Sequence, residues 1–247
     1  MRLNLIIAAL AAALTSGSAL ACEKLHVIEY EMGPGNATLT VNGVFYQQLS
    51  GEGANMMNFI AWTLPGKNVI DIAYTGAGEA KFWLAAGCEG QFKTEPVSDK
   101  IDLSDGDTTR FSFAQTNRTD QAFAKTSPSD DAGLAEAYAA FRKDVLDRDA
   151  PAVIAKLESF IARAEAQGYP REAFVGHLTT AIETGEFDVK DTGRFEAVAG
   201  GRVYQHLADD RQPTLQARYP TENGGTFTVP FGTYWTKVNG TWEVIYN

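Results

Sequence analysis

The chain has 247 residues, of which 45% are hydrophobic and 21% charged. That balance excludes a disordered chain, a collagen and a disulfide-packed miniprotein. Lys and Arg number 21 against 31 Asp and Glu, a formal net charge of −10, so nothing supports a basic groove for nucleic acid.

Residues 1–21 read MRLNLIIAALAAALTSGSALA. Arg2 precedes an apolar run from Leu5 to Leu14, a small polar stretch follows, and Ala19-Leu20-Ala21 closes the segment. This is the layout of a secretory signal peptide with an A-x-A cleavage site. The run is shorter than the ~20 apolar residues of a membrane-spanning helix, and no later segment is apolar enough to span. The expected product is exported, to a bacterial periplasm or beyond. Cys22 follows the cut directly. A lipoprotein site resembles Leu-(Ala/Ser)-(Gly/Ala)-Cys, and here Leu20 sits one place too late. The second cysteine is Cys88, and an oxidising compartment would pair the two. Such a bridge is worth about 4 kcal/mol in the chain-entropy model. Lipidation and a Cys22–Cys88 disulfide need the same sulfur and exclude one another.

Residues 22–115 carry the signals of short strands and turns. Asn42-Gly43 separates two β-rich runs within Ala37 to Gln48, and Asn-Gly supplies the two positive-φ positions of a type I′ hairpin. Pro65-Gly66 makes a turn before Val69, Ile70 and Ile72. Further strands are expected at 79–84, 91–94 and 109–114, with Phe111 and Phe113 alternating about Ser112. The expectation is a β-sandwich.

Residues 116–131 are mostly polar and read as a linker. Ser127, Pro128 and Asp130 resemble a helix start, as N-cap, first and third helical positions. Residues 132–247 read as an α+β domain: three helices, then an antiparallel curved sheet. Leu134, Tyr138, Phe141 and Val145 form one apolar stripe. A second helix carries Ile154, Leu157, Ile161 and Ala164, with Asp149 as N-cap and Gly168 as stop. A third carries Phe174, Leu178 and Ile182 and stops at Gly185. Strands return after Phe187: 195–207 broken at Gly200-Gly201, 214–219, a long strand at 226–238 bent near Pro230 and Gly232, and 241–246 joined through Asn239-Gly240.

Two runs carry a family resemblance: AEAYAAFRKDVLDRDAPAVIAKL from Ala135 and YWTKVNGTWEVIY from Tyr234. The region from Leu134 resembles the cone-shaped superfamily of nuclear transport factor two, scytalone dehydratase and SnoaL-like cyclases. The resemblance implies a curved sheet wrapped around helices to form a pocket, which in that superfamily hosts an enzyme site, a ligand or a dimer contact. No catalytic motif carries over residue by residue. The N-terminal half resembles secreted β-sandwich modules through Trp62, Leu64, Gly66, Asn68 and Ile70; such modules bind sugars or protein partners, or space domains.

Few residues fall in patterns that carry chemistry. His26, His177 and His206 are far apart, with no H-x-H or H-E-x-x-H, so no metal site is expected. The acidic run Asp99, Asp102, Asp105 and Asp107 lacks the alternation of a calcium loop and reads as a solvated turn. No G-x-S-x-G, phosphate loop or dinucleotide fingerprint occurs, and no cofactor is expected. Tyr204 and His206 share a face of a strand, and Val203, Gln205 and Leu207 take the other. If that face lines a concavity, a His beside a Tyr suits acid–base work or ligand binding, with Trp235 as a third candidate. Otherwise the two form a solvent-facing polar pair. The leading expectation is a non-enzymatic binding or accessory protein for an unknown small molecule or protein partner. The alternative is a small-molecule enzyme or ligand carrier with a pocket in the C-terminal domain.

Overall fold

A computed structural model describes residues 24–59, 62–88, 93–115, 122–166, 168–220 and 224–245. The expected leader, Cys22 and the first part of the expected linker lie outside these residues. The N-terminal strands are β1 (Lys24–Met32), β2 (Asn36–Val41), β3 (Val44–Ser50), β4 (Gly53–Met57), β5 (Gly66–Thr75), β6 (Ala80–Cys88), β7 (Thr94–Pro96), β8 (Ile101–Leu103) and β9 (Thr108–Gln115). The helices follow: α1 (Leu134–Leu146), α2 (Ala150–Lys156), α3 (Glu158–Ala166) and α4 (Arg171–Thr184). The C-terminal strands are β10 (Glu186–Val189), β11 (Arg194–Val198), β12 (Val203–Leu207), β13 (Leu215–Pro220), β14 (Thr226–Pro230), β15 (Tyr234–Val238) and β16 (Thr241–Ile245).

The N-terminal strands make two sheets. One runs β4-β1-β6-β7, with β8 also on β6; the other runs β3-β2-β5-β9. Asn42 and Gly43 take φ of 52° and 82°, the left-handed pair that a type I′ turn between β2 and β3 demands. The inward residues of both sheets, among them Ile28, Leu39, Ile70, Tyr74 and Phe82, form a single core cluster.

The expected fold class needs correction. The described residues are 47% strand and 24% helix, with four helices and four sheets. The expected second helix is two, because the chain breaks at Leu157. Its N–H bonds to the carbonyls of both Val153 and Ile154, a tightened turn, and its side chain is fully buried. The helix expected to open at Ser127-Pro128 begins at Leu134 instead, because Gly133 sits at φ 78° and interrupts the backbone path. In place of one curved sheet there are two: β10-β13-β14 and β11-β12-β15-β16. The expected long strand at 226–238 is split between them. Pro230 pairs with Gln216 in one sheet and Tyr234 with Gln205 in the other, with Gly232 at φ 64° in the corner.

The sheet β11-β12-β15-β16 buries both faces. Val198, Val203 and Ile245 belong to the core cluster of the N-terminal sheets. Tyr204, Trp235 and Val244 belong to a second cluster with Phe141, Val153, Leu157, Ile161, Leu178 and Ile182 of the helices. The hydrophobic interior therefore crosses the expected boundary at 116–131. Polar contacts reinforce the junction at the first Asn-Gly hairpin. The Gln205 side-chain oxygen accepts from the Phe45 amide at 2.9 Å, the Tyr234 hydroxyl donates to the Phe45 carbonyl at 2.8 Å, and the Ala199 amide donates to the Asn42 carbonyl at 2.9 Å. No described helix is long and apolar enough to cross a membrane.

Candidate functional site

The three residues singled out from sequence converge on one face. Tyr204 and His206 alternate on β12, and Trp235 is the cross-strand partner of Tyr204 on β15. That face looks toward α1, whose start is Leu134 and whose Tyr138 and Phe141 lie three apart on the buried side. Trp235 meets Phe141 edge-on, with ring centroids 5.8 Å apart, and Tyr204 meets Trp242 edge-on at 5.4 Å.

His206 is 7% exposed, so the expected solvent-facing pair is corrected. The cause is that the helices cover this face while the N-terminal sheets cover the other. Its ring lies between Phe195, its partner on β11, at 4.4 Å and Tyr138 at 4.2 Å. Nδ1 is 2.8 Å from the Thr214 hydroxyl, which in turn is 2.9 Å from the Tyr138 hydroxyl. Nε2 faces the Gly193 backbone so closely that a Cβ there would sit 3.0 Å from it. Burial pushes the imidazole pKa down from 6.5 to about 4; a hydrogen bond with the Gly193 backbone raises it part way, and the nearby Arg142 charge lowers it. At neutral pH the ring is uncharged. Asp209 and Asp210 do not orient it: Asp210 pairs with Lys190 and caps the Gln212 amide.

The other two polar tips are also engaged by the protein. The Tyr204 hydroxyl donates to the Ser129 carbonyl at 2.7 Å, and the Trp235 indole N–H donates to the Gly232 carbonyl at 2.7 Å. Trp62 and Trp83 are 1% and 7% exposed. Trp62 packs inward on Phe123 and Tyr234, and Trp83, on the opposite face of its sheet, is covered by the Lys100 ammonium.

Sequence reasoning missed Tyr138, Phe195, Thr214 and Gly193, the four residues that enclose His206. Phe195 was legible in principle: a turn at Gly200-Gly201 sets the antiparallel register that puts it opposite His206. Thr214 and Gly193 come from loops whose course depends on tertiary packing. Among the described residues no group of three or more His, Cys, Asp or Glu is placed to hold a metal ion.

Open space flanks these residues. A cavity of about 540 Å³ lies between α1 and residues 190–193, with Tyr138, Arg142, Lys190 and His206 in its wall. A groove of about 570 Å³ between α1, α3 and β16 is lined by Phe141, Trp235, Trp242 and several alanines. Comparison of the chain with family models, with curated proteins and with solved structures returns no match.

Proposed function

We propose that this chain is an exported binding or accessory protein that holds a small molecule or a protein partner against its helix-bearing region and does not transform it. The observation that carries the reading is how Tyr204, His206 and Trp235 use their polar tips. Each is committed to a backbone carbonyl or a neighbouring hydroxyl of the protein itself. A general base must reach a substrate proton, and its pKa works best near the operating pH. An imidazole held neutral down to about pH 4, with Thr214 on one nitrogen and Gly193 on the other, meets neither condition. The net charge of −10 argues against nucleic acid as the partner.

Residues 1–21 as an export leader, and a Cys22–Cys88 disulfide, belong to the same reading. The β1–β6 ladder sets Lys24 opposite Cys88. Two residues of chain reach about 7 Å, enough to bring a sulfur at 22 to β6. Intact mass of the exported protein checks this: cleavage after Ala21 and the loss of two hydrogens are expected, while a diacylglycerol adduct would replace the bridge by a lipid anchor.

The second reading, a small-molecule enzyme, is favoured by one feature, the position of His206 in the wall of the 540 Å³ cavity. A panel of small molecules screened by thermal shift, followed by mass spectrometry of the recovered compounds, separates the two. Binding predicts compounds that raise the unfolding temperature and are recovered unchanged. Turnover that disappears in His206→Phe would overturn the binding reading.

A further inference from the structure

Two hairpins of this chain turn on the same dipeptide. Asn42-Gly43 joins β2 to β3 with Val41 opposite Val44, and Asn239-Gly240 joins β15 to β16 with Val238 opposite Thr241. Their backbones take almost the same angles: φ is 52° and 82° in the first turn, 50° and 85° in the second. The turns differ in what holds the asparagine side chain.

Asn42 is half-buried, and its amide is tied at both ends. The nitrogen donates to the Trp62 carbonyl and to Asn68 Oδ1, each at 2.8 Å, and the oxygen accepts from the Val69 amide at 3.1 Å. Asn68 is itself fully buried. The Asn42 main chain is fixed as well, its amide donating to the Val69 carbonyl and its carbonyl accepting from Ala199. Asn239 is exposed, and its side chain has no hydrogen-bond partner among the described residues. The space beside Gly240 is open, with nothing within 4 Å of where a Cβ would stand.

An asparagine side chain can be attacked at Cγ by the backbone nitrogen of the next residue, and glycine has no side chain to block the approach. The nitrogen–Cγ bond forms and the Cγ–Nδ2 bond breaks. Ammonia leaves, carrying off the proton of the attacking N–H. Water then opens the five-membered imide at either carbonyl, giving aspartate or isoaspartate. The reaction requires the side chain to swing over its own C-terminal peptide. Three hydrogen bonds oppose that swing at Asn42.

We propose that Asn239 is a spontaneous modification site of the folded protein, converting to aspartate and isoaspartate through the Gly240 nitrogen, while hydrogen bonds to Trp62, Asn68 and Val69 shield Asn42 from the same chemistry. Isoaspartate adds a methylene to the main chain of a two-residue turn. Because β16 places Ile245 in the N-terminal core and Val244 in the helical one, conversion disturbs the strand that touches both. The inference stands apart from the binding reading.

The mature full chain is incubated in mildly alkaline buffer, folded or in urea, and sampled over time by peptide mapping that separates aspartate from isoaspartate. The Asn223-Gly224 peptide is resolved separately, since Asn223 lies outside the described residues. In the folded chain Asn239 is expected to convert progressively. Asn42 is expected to convert at least about tenfold more slowly, the cost of breaking its hydrogen bonds. In urea the two are expected to convert at similar rates. Asn68→Ala, which removes one tether, is expected to speed conversion of Asn42 in the folded chain and leave Asn239 unchanged; if that variant does not fold, the two peptides of the parent decide. The proposal is overturned if Asn239 stays intact in the folded chain, which would show that the turn itself protects. It is also overturned if Asn42 keeps pace with Asn239 there, or if the difference between them survives in urea, which would assign it to neighbouring sequence.

Discussion

Asn68 and Arg163 are both polar groups withdrawn from water, and the chain treats them in opposite ways. Asn68, between the N-terminal sheets, is fully buried. Its oxygen accepts from the Leu64 amide at 2.6 Å and from Asn42 at 2.8 Å, and its nitrogen donates to the carbonyls of Leu64 and Gly66. Arg163, on the helical side, leaves a buried nitrogen unmatched. Volume does not separate the two regions: Trp62, Tyr74, Phe59 and Phe82 fill the N-terminal core at 0–1% exposure, Phe141, Leu157 and Ile161 fill the helical one at 0%, and surface clefts border both the helices and the β2–β5–β9 sheet. Saturated polar groups rigidify, and a buried unsatisfied one costs stability.

The largest effects are expected at the best-buried aromatic contacts of each region. Phe141→Ala removes a fully buried ring against Trp235, and Trp62→Ala removes one packed on Phe123 and Tyr234. Each is expected to cost about 3–5 kcal/mol in urea unfolding. Because Val198, Val203 and Ile245 join the C-terminal sheet to the N-terminal core, both substitutions are expected to shift one cooperative transition. Two separated transitions would show that the shared interior does not couple the regions.

Acid is the next lever. The folded chain holds the His206 imidazole at a pKa of about 4 against an ordinary 6.5. The unfolded chain therefore takes the proton first, and stability falls as the pH drops from 6.5 toward 4. The loss through this window totals roughly 3 kcal/mol, with no contribution from this group above it. Urea midpoints at pH 7.5 and 4.5 measure the slope, and His206→Phe is expected to remove it. A slope that persists in the variant would have another source.

Smaller effects sharpen the contrast. Asn68→Ala strands buried backbone groups and is expected to cost about 1–3 kcal/mol by urea unfolding. Asp149 accepts the Ala152 amide at 3.0 Å as the N-cap of α2, and Asp149→Ala is expected to cost about 1 kcal/mol by the same measurement.

What was legible in the sequence is what local chemistry decides. Asn42-Gly43 and Asn239-Gly240 adopt the positive φ values that their side chains tolerate, and Asp149 caps the helix it precedes. Alternation placed Tyr204 and His206 on one face correctly. It could not say whether that face meets water, because the answer depends on α1 covering it and on the Asn42-Gly43 hairpin covering the other. The break at Leu157 has no glycine or proline to announce it; the buried position of that leucine among the helices imposes it. The split of the expected long strand at Phe231–Thr233 is likewise tertiary, with Phe231 fully buried at the corner between two sheets. Arg163 gave no signal at all, since a lone arginine on a helix reads as solvated until the hairpin closes over it.

The polar tips gathered on β12 and β15 are bonded within the protein, and burial holds His206 neutral among them. Histidine ring protons followed by NMR against pH, with His206 assigned by comparison with His206→Phe, address it directly. The expected result is a His206 titration midpoint near 4, or no titration before the chain unfolds. A midpoint near 6.5 would mean a free, solvated imidazole and would contradict it.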